Sequence, residues 1–386
     1  MVIRNRQVHP RALPPCAKLK LPMPLPGKPL DCLLVADDLT GACDAAVHFA
    51  ATVLLVPGAN ATGARVLALS TESRDLPPEE IRRALLALAA EYPAGSAARV
   101  FKKIDSTLRG NTGLEIAAAL AAFHCDAAVV CPALPSMHRL VEGGFLRVTT
   151  APGFAPIDVA ARLRLQSGQA CAHTRPDGIA ALLSAGAPVV SVDAVCDADL
   201  DSIASAILPM GRRILWVGSA GLASAMARVL RPECAPPPAP ARSGAALFCI
   251  GSTHPVTLAQ QTALLAERPC ELAATRQSIS AALGGGRHVV LRIPRGLVPV
   301  EQLRECIAGV PAAALVLSGG DTASLVCQAA GAQRIELCDE IVPGVPRGIL
   351  RGGGFDGVWV VTKSGGFGDR DTLVQVADFF YARTQF

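Results

Sequence analysis

Short apolar runs alternate with alanine-rich stretches of helical periodicity along most of the chain, a pattern typical of parallel α/β proteins. In the first half, strands are predicted at Cys32–Ala36, Val53–Val56, Val66–Leu69, Val100–Ile104, Ala127–Cys131, Val189–Asp193 and Ile214–Val217. In the second half, strands are predicted at Ala246–Ile250, His288–Ile293, Ala314–Leu317 and Val358–Thr362, and helices at Pro255–Glu267, Val300–Ala308, Asp321–Ala330 and Asp371–Arg383. Both halves are therefore expected to be α/β.

A proline-rich segment separates the two halves. Residues 231–243 contain prolines at positions 232, 236, 237, 238 and 240, and so many prolines prevent a continuous helix or strand. We therefore predict a linker at 231–243, between one domain at 29–230 and another at 244–386. The predicted fold is two α/β domains, each with a largely parallel sheet flanked by helices.

Composition supports two domains and argues against several classes of protein. The chain has 386 residues, of which 51% are hydrophobic and 4% aromatic, and a single core rarely extends beyond roughly 250–300 residues. Six of the 36 basic residues precede Asp31, which leaves 30 basic against 32 acidic residues in the remaining chain. This near-neutral body lacks the basic stripe with interleaved aromatic residues that binds nucleic acid. The 13 cysteines include no CxxC pair, so no zinc site of that type is expected.

The first 28 residues are rich in proline, arginine and lysine. They lack the continuous apolar stretch of a signal peptide or a membrane span. We therefore expect a disordered leader at 1–28 on a cytoplasmic protein that has no membrane partner.

Two adjacent carboxylates, Asp37 and Asp38, follow the first predicted strand in the sequence ADDLTG. Ligands of open α/β sheets bind outside the carboxyl ends of strands. The pair suits binding of a substrate hydroxyl, acceptance of its proton, or ligation of Mg²⁺, while the structural alternative is a helix N-cap with a turn at Gly41. Asp44, six residues after Asp38, is either a partner of the helix dipole in the first turn or a ligand.

A second polar cluster occupies residues 101–111, at the end of the fourth predicted strand. Adjacent strand residues point to opposite faces, so only one of Lys102 and Lys103 can turn toward a cleft. The planar fork of Arg109 suits a carboxylate, and an acidic substrate is therefore expected. The structural alternative is a solvated loop with a cap at Ser106.

Four glycine-containing turns follow or precede strands in the second half. Glycine allows the backbone N–H groups of a turn to approach a phosphate closely, although tight β-turns would also explain some of these segments. The segments are Ile250–His254, Ser318–Thr322, Val342–Gly348 and Lys363–Gly368. Together they predict a nucleotide pocket.

Other known nucleotide- and metal-binding motifs either occur in the wrong structural position or are absent from the sequence. Gly352–Gly357 fits GxGxxG, but it precedes a predicted strand instead of leading from a strand into a helix. The chain contains neither GxxxxGK[ST] nor HExxH. The sequence therefore predicts neither a dinucleotide fingerprint, a P-loop nor a metalloprotease helix.

The motifs taken together resemble those of the four-carbon acid sugar kinase family, and their order agrees across residues 31–380. The resemblance is carried by ADDLTG at 36–41, KIDSTLRGN at 103–111, CPALP at 131–135, WVGSAGLA at 216–223, Gly319–Thr322, Pro343–Gly348 and Lys363–Gly368. By this resemblance, the first domain binds a sugar acid such as threonate, erythronate or 3-oxo-tetronate, the second binds ATP, and the active site lies in the cleft between them. The segment 136–169 departs from the family pattern, so the choice among these acids stays open.

The resemblance implies in-line phosphoryl transfer with ATP and Mg²⁺ as cofactors. An aspartate among Asp37, Asp38 and Asp105 would act on the attacking hydroxyl. The sugar acid would be bound by Arg74, Lys102, Lys103, Ser106 and Arg109, and ATP by Ser252, Gly319, Gly320, Asp321, Thr322, Gly344, Lys363, Ser364, Gly365 and Gly366. Asp321 is the candidate metal ligand. The alternatives are a catalytically decayed sensor or another ATP-dependent transferase or ligase, and a homodimer is compatible with the sequence.

Overall fold

The computed structural model describes residues 29–61, 63–151, 153–210, 213–231, 236–237 and 244–382. The predicted leader at 1–28, and most of the predicted linker at 231–243, lie outside these ranges. The strands are β1 (Cys32–Ala36), β2 (Thr52–Leu54), β3 (Val66–Ser70), β4 (Val100–Lys103), β5 (Ala127–Cys131), β6 (Arg139–Glu142), β7 (Phe145–Val148), β8 (Ile157–Asp158), β9 (Cys171–Thr174), β10 (Val189–Val192), β11 (Ile214–Gly218), β12 (Ala246–Ile250), β13 (Cys270–Leu272), β14 (His288–Arg292), β15 (Ala314–Ser318), β16 (Arg334–Val342), β17 (Val345–Arg351) and β18 (Trp359–Lys363).

Helices connect most of the strands and cover both faces of the sheet. The helices are α1 (Leu39–Ala46), α2 (Pro78–Glu91), α3 (Thr112–Ala122), α4 (Val159–Ser167), α5 (Ile179–Ser184), α6 (Asp197–Ile207), α7 (Ala220–Leu230), α8 (Pro255–Glu267), α9 (Arg276–Gly284), α10 (Val300–Ile307), α11 (Gly320–Ala330) and α12 (Thr372–Ala382). Within the described ranges, none of them combines the length and the apolar character that a bilayer crossing requires.

The predicted α/β class with largely parallel strands is confirmed. The strand order of the main sheet is β13-β14-β12-β15-β18-β17-β16-β2-β3-β1-β4-β11-β5-β10-β9. Apart from the pairings that involve β16 or β17, all strand pairings of this sheet are parallel. Strands such as β1 and β12 are buried along their whole length, as expected for parallel strands covered by helices on both faces.

The antiparallel hairpin of β16 and β17 was not predicted from the sequence. The segment 342–348, interpreted above as a glycine-containing turn of a nucleotide pocket, consists of the last residue of β16, the hairpin turn and the first residues of β17. On its other edge, β16 pairs antiparallel with β2 from the first half, with Ile335 opposite Val53. The strands of both halves therefore form one continuous sheet.

Residues 136–169, where the sequence departs from the family pattern, form a small antiparallel sheet of β6, β7 and β8, followed by α4. A single bridge between Val141 and Ala194 connects this sheet to the loop that follows β10. The small sheet thus stands beside the carboxyl ends of the first-half strands.

One apolar cluster includes buried residues of both halves, for example Leu33 and Val53 together with Leu315 and Ile335. The chain has two tryptophans; Trp216 lies in β11 of the first half and Trp359 in β18 of the second. Each is 2% exposed. Their fluorescence therefore reports on the two halves separately.

We predict that the halves unfold together. Ile335→Ala removes buried apolar volume beside β2 and should cost about 2–5 kcal/mol. In urea titrations of Trp216→Phe and Trp359→Phe, which each keep one tryptophan, the two unfolding midpoints should coincide and should shift equally when Ile335→Ala is added. Separate midpoints, with only the Trp359 signal moved, would show that the halves are independent.

Candidate active site

The carboxyl ends of the first-half strands meet those of the second half around helix α1. Ser364, after β18, donates a hydrogen bond from its Oγ to Thr40 Oγ1 over 3.2 Å. A Cβ atom added at Gly320, in the first turn of α11, would lie 2.7 Å from Asp38 Oδ2. The structure therefore brings the predicted acceptor-side motif and the predicted nucleotide-side motifs into contact.

Asp38 is the N-cap of α1, since its Oδ1 accepts the backbone N–H of Gly41 at 2.7 Å. The structural interpretation of this aspartate is thus confirmed, but the cap uses only one of the two acids. Asp37 is 3% exposed and Asp38 is 8% exposed. Two neighbouring buried carboxylates need a shared counter-charge, and Arg74 supplies it.

Arg74 binds both carboxylates at once. Its Nε and Nη2 donate to Asp37 at 2.8 and 2.9 Å, and its Nη1 donates to Asp38 Oδ2 at 2.7 Å. Burial by itself would raise the pKa of Asp37, but the Arg74 guanidinium holds that pKa below its ordinary value. The fork of Arg74, predicted to bind substrate, is therefore occupied by aspartates of the chain itself.

The two lysines of β4 point in opposite directions. Lys102 forms a fully buried ion pair with Glu115 of α3, whose Oε1 also accepts the Ser73 hydroxyl at 2.9 Å. Lys103 turns toward α1, where its Nζ donates to Ile104 O at 3.1 Å. A Cβ added at Gly41 would lie 3.0 Å from that Nζ. Of the two lysines, Lys103 is the one beside Asp38.

Asp105 organises the turn after β4. It accepts hydrogen bonds from the backbone and hydroxyl groups of Thr107 and from Nε and Nη2 of Arg109, the Nε contact being 3.0 Å. Burial would raise the pKa of Asp105, but these contacts, Arg109 first, hold it far below its ordinary value. Arg109, although 61% exposed, thus already grips a carboxylate with the edge expected to bind the sugar acid.

Ser106 of the same turn accepts a hydrogen bond from Nη1 of Arg139, the first residue of β6. The guanidinium carbon of Arg139 lies 4.7 Å from the ring centroid of Phe367, on the loop after β18. Phe367 also packs with Leu134, Met137 and Ala220 in a small apolar cluster. Sequence analysis did not select Arg139 or Phe367, because the signal that joins them is a contact between residues far apart in the chain.

Asp44 lies in the second turn of α1, so the predicted first-turn dipole role is wrong. The side chain is 4% exposed, and burial raises its pKa to about 6, with Lys103 and Arg139 opposing and Asp38 adding to the shift. Burial also raises the pKa of Glu340 in β16 to about 7, and Asp44 contributes to that increase. Two carboxylates with raised pKa values therefore lie near each other, and the one on Asp44 is also near Lys103 and Arg139.

Three of the four glycine segments of the second half converge. A Cβ at Gly365 would lie 2.3 Å from Ser252 Oγ, and one at Gly319 would lie 3.5 Å from Ser252 Cβ. A Cβ added at Gly251 would lie closer still to its neighbour, 2.1 Å from Thr322 Oγ1. Gly319 has φ of 106°, a conformation that glycine adopts at little cost. Only glycine therefore allows these turns to approach one another so closely.

The fourth segment serves a different purpose. Gly344, at the β16–β17 turn, donates its N–H to Glu340 Oε1 at 2.7 Å, and an added Cβ would lie 2.6 Å from Phe367 and 2.7 Å from Met137. Gly344 therefore packs against Phe367 in the Lys363–Gly368 loop. It supports the loop that carries Ser364, Gly365 and Gly366 by packing and does not line the same turn cluster.

Lys363 holds that loop together from inside. Its Nζ donates to the carbonyl oxygens of Ser364, Gly365 and Phe367 at 2.9, 3.3 and 3.2 Å, and burial lowers its pKa to about 7. From α8, Thr257 donates to the same Gly365 carbonyl at 2.6 Å, and Gln260 donates to the Phe367 carbonyl at 3.0 Å and to Asp369 O, just after the loop, at 2.7 Å. The amino group predicted to meet the polyphosphate is thus engaged with the backbone of its own loop.

Asp321, the candidate metal ligand, is paired with Arg295 at 2.6 Å, and Arg295 also contacts Asp75 of the first half at 2.9 Å. Its side chain is 64% exposed. Within the described ranges, no group of three or more histidine, cysteine, aspartate or glutamate side chains is arranged to hold a metal ion. A metal bound here would need most of its ligands from a substrate or water.

Comparison with known proteins gives consistent matches along the chain. A family model described as the sugar-binding N-terminal domain matches residues 32–157 and 153–226, and one described as the nucleotide-binding C-terminal domain matches 300–373. A D-threonate kinase from Bordetella bronchiseptica is 37% identical and covers 89% of this chain and 96% of its own. A D-threonate kinase from Cupriavidus necator is 32% identical, covering 88% and 96%, and a D-erythronate kinase from Heliobacterium modesticaldum is 28% identical, covering 91% and 97%.

Solved structures agree in fold. A Salmonella typhimurium protein described as a putative tRNA synthase matches with a TM-score of 0.70 and 20% identity, covering 90% of this chain and 99% of its own. A Haemophilus influenzae protein matches with a TM-score of 0.66 and 20% identity, covering 92% and 100%. At this level of identity the similarity concerns the architecture alone.

The raised pKa of Asp44 predicts a pH-dependent stability effect. The folded state binds the proton more tightly than the unfolded state, so this residue's contribution to stability falls as pH rises from about 3.8 to about 6 and stays low above that. Asp44→Asn should therefore stabilise the protein more at pH 7.5 than at pH 5, by about 1 kcal/mol in urea unfolding. The exposed Asp177→Asn serves as control, and an equal effect of Asp44→Asn at both pH values would contradict the prediction.

Proposed function

Because this chain belongs to the four-carbon acid sugar kinase family, we propose that D-threonate is the acid that it phosphorylates. The chain is an ATP-dependent kinase of four-carbon sugar acids, and the curated relatives that align with most of its length are named D-threonate, D-erythronate and 3-oxo-tetronate kinases. The relatives named D-threonate kinase are 37%, 32% and 30% identical, whereas those named D-erythronate or 3-oxo-tetronate kinase are 28% identical or less. This ranking supports D-threonate.

The contact of Asp38 with the first turn of α11 is the observation that best supports the location of phosphoryl transfer. The N-terminus of a helix attracts phosphate through its free N–H groups and its dipole. Asp38, on the acceptor side, lies against Gly320 of that turn. A hydroxyl bound by Asp38 would therefore face a phosphoryl group bound at α11, as in-line transfer requires.

In this proposal the aspartates have different roles. Asp38 orients the attacking hydroxyl and accepts its proton, because it is the carboxylate beside α11. Asp37 acts through Arg74, which holds Asp38 in position. Asp105 shapes the turn that presents Ser106 and Arg109. Lys103 and Ser106 remain available for contacts with the sugar acid, whereas Lys102 stabilises the strand through Glu115.

The nucleotide would bind where Ser252, the α11 turn and the loop at Ser364–Gly366 converge. These segments present backbone N–H groups, which suit phosphate oxygens. Lys363 supports this site by binding the loop carbonyls. The proposed active site is then a cleft between a sugar-acid domain and a nucleotide domain, and the homodimer remains a separate prediction.

Mg²⁺ fits this site in a limited way. Kinases commonly hold Mg²⁺ with one or two carboxylates together with phosphate oxygens and water, and the exposed carboxylate of Asp321 at α11 is suited to that role. Bound there, the ion would neutralise charge on the phosphates of ATP. Arg295 would have to release Asp321 for this ligation.

The substrate proposal predicts a ranking in an ADP-release assay. We expect D-threonate to give a higher kcat/KM than D-erythronate or 3-oxo-tetronate, each tested with ATP and Mg²⁺. A higher value for one of the other acids would overturn D-threonate as substrate but leave the kinase activity intact. Binding of these acids without ADP formation would favour the sensor interpretation.

The proposed roles of the two aspartates predict different kinetic effects. Asp38→Asn removes the carboxylate that faces the phosphoryl group and should lower kcat about 10²- to 10⁴-fold with a smaller effect on KM. Asp37→Asn should lower kcat less, because its effect passes through Arg74. Steady-state kinetics of both variants measure this, and a larger kcat loss for Asp37→Asn would reverse the assignment.

A further inference from the structure

The arginines of the candidate site differ in what their guanidinium groups bind. Arg74 and Arg109 each use the edge formed by Nε and Nη2 to bind a carboxylate of the chain, Asp37 and Asp105 respectively. The guanidinium of Arg139 has only one hydrogen bond among the described residues, from Nη1 to Ser106. Its Nε is buried without an acceptor, so its Nε–Nη2 edge is free.

The surroundings of Arg139 do not otherwise compensate its charge. Stacking on Phe367 and one hydroxyl are neutral contacts, and no carboxylate of the described residues forms a salt bridge with it. Burial lowers its pKa, while Asp105 and Asp44 oppose that shift from a distance. Arg139 is half-buried, and a cation withdrawn from water without a paired anion is destabilising. An anionic ligand would therefore neutralise a charge that the protein itself leaves without a paired anion.

The position of Arg139 identifies which anion this is. Asp38, at the N-cap of α1, contacts the phosphate-binding turn of α11. Arg139 is held by its hydrogen bond to Ser106 in the turn after β4, and the carboxylates that act on it electrostatically are Asp105 first and Asp44 second. Arg139 therefore lies on the acceptor side of the site, beside Ser106, where its guanidinium stacks on Phe367 of the loop after β18.

We propose that the free edge of Arg139 binds the carboxylate of the sugar acid, so that the hydroxyl at the other end of the molecule faces Asp38 and α11. This inference rests on the proposed function and deepens it. Arg139 is then the residue that selects an acid over an uncharged polyol. Arg74 and Arg109, whose corresponding edges are occupied, serve to hold the aspartates.

The experiment compares D-threonate with threitol, which has the same carbon chain but no carboxylate. Arg139→Lys keeps the charge and loses the planar fork. It should lower kcat/KM for D-threonate about 10- to 150-fold, and change neither KM for ATP nor the kcat/KM for threitol by more than about 3-fold. If threitol is not turned over, its inhibition constant against D-threonate replaces kcat/KM. The exposed Arg147→Lys on β7 is the matched control, and it should change none of these values.

An equal loss for D-threonate and threitol would overturn the proposal, because Arg139 would then act on the phosphoryl group or on the architecture. An unchanged kcat/KM for D-threonate would overturn it as well. Failure of the proposed function would give a different result: the wild-type protein itself would release no ADP with any four-carbon acid. In that case calorimetric affinity for the acids, with and without Arg139→Lys, still tests the inference.

Thermal unfolding gives a second readout that a purely structural role would not produce. Arg139→Met removes an uncompensated cation, so the Tm without ligand should be unchanged or higher. D-threonate should raise the Tm of the wild-type protein but not that of the variant, while ATP should still raise both. Retention of the D-threonate effect in Arg139→Met would contradict the proposal.

Discussion

The candidate site depends on the ability of Arg74 to neutralise two adjacent buried carboxylates. Asp37 and Asp38 are consecutive in the chain, and without a shared cation their mutual repulsion and burial would favour protonation of one of them. The guanidinium binds both, using three of its N–H groups. Asp38 can thereby cap α1 and meet α11 with the same side chain. Loss of Arg74 would leave a buried charge without a partner, which is strongly destabilising.

The contact between the halves depends on two features that work together. The pairing of β2 with β16 aligns the sheet, and α1, all of whose residues are buried, lies between strands of the first half and α11 of the second. Small residues such as Gly41, Ala42 and Ala45 let the helix approach its neighbours closely. The position of Asp38 relative to Gly320 is therefore fixed by packing over the whole helix and not by a flexible loop.

Much of the fold could be predicted because parallel strands buried on both faces are continuous apolar runs. β1, β5 and β12 have the predicted bounds, and so does α8. The hairpin of β16 and β17 was missed because its charged residues and two prolines resemble a loop, whereas its order comes from pairing with β2 and β18. The local pattern contains no signal for such long-range pairing.

The same distinction explains which site residues the sequence could and could not indicate. Clusters of charge at strand ends identify the region, but they do not show which charges pair with one another. Arg74, Arg109 and Lys102 have partners that belong to the chain, so their charges build the site. The guanidinium of Arg139 has no such partner among the described residues, and in our proposal it binds the carboxylate of the sugar acid. Since removal from water makes an uncompensated charge costly, an unpaired charge of this kind tells more about the ligand than the more numerous charges that are paired within the chain.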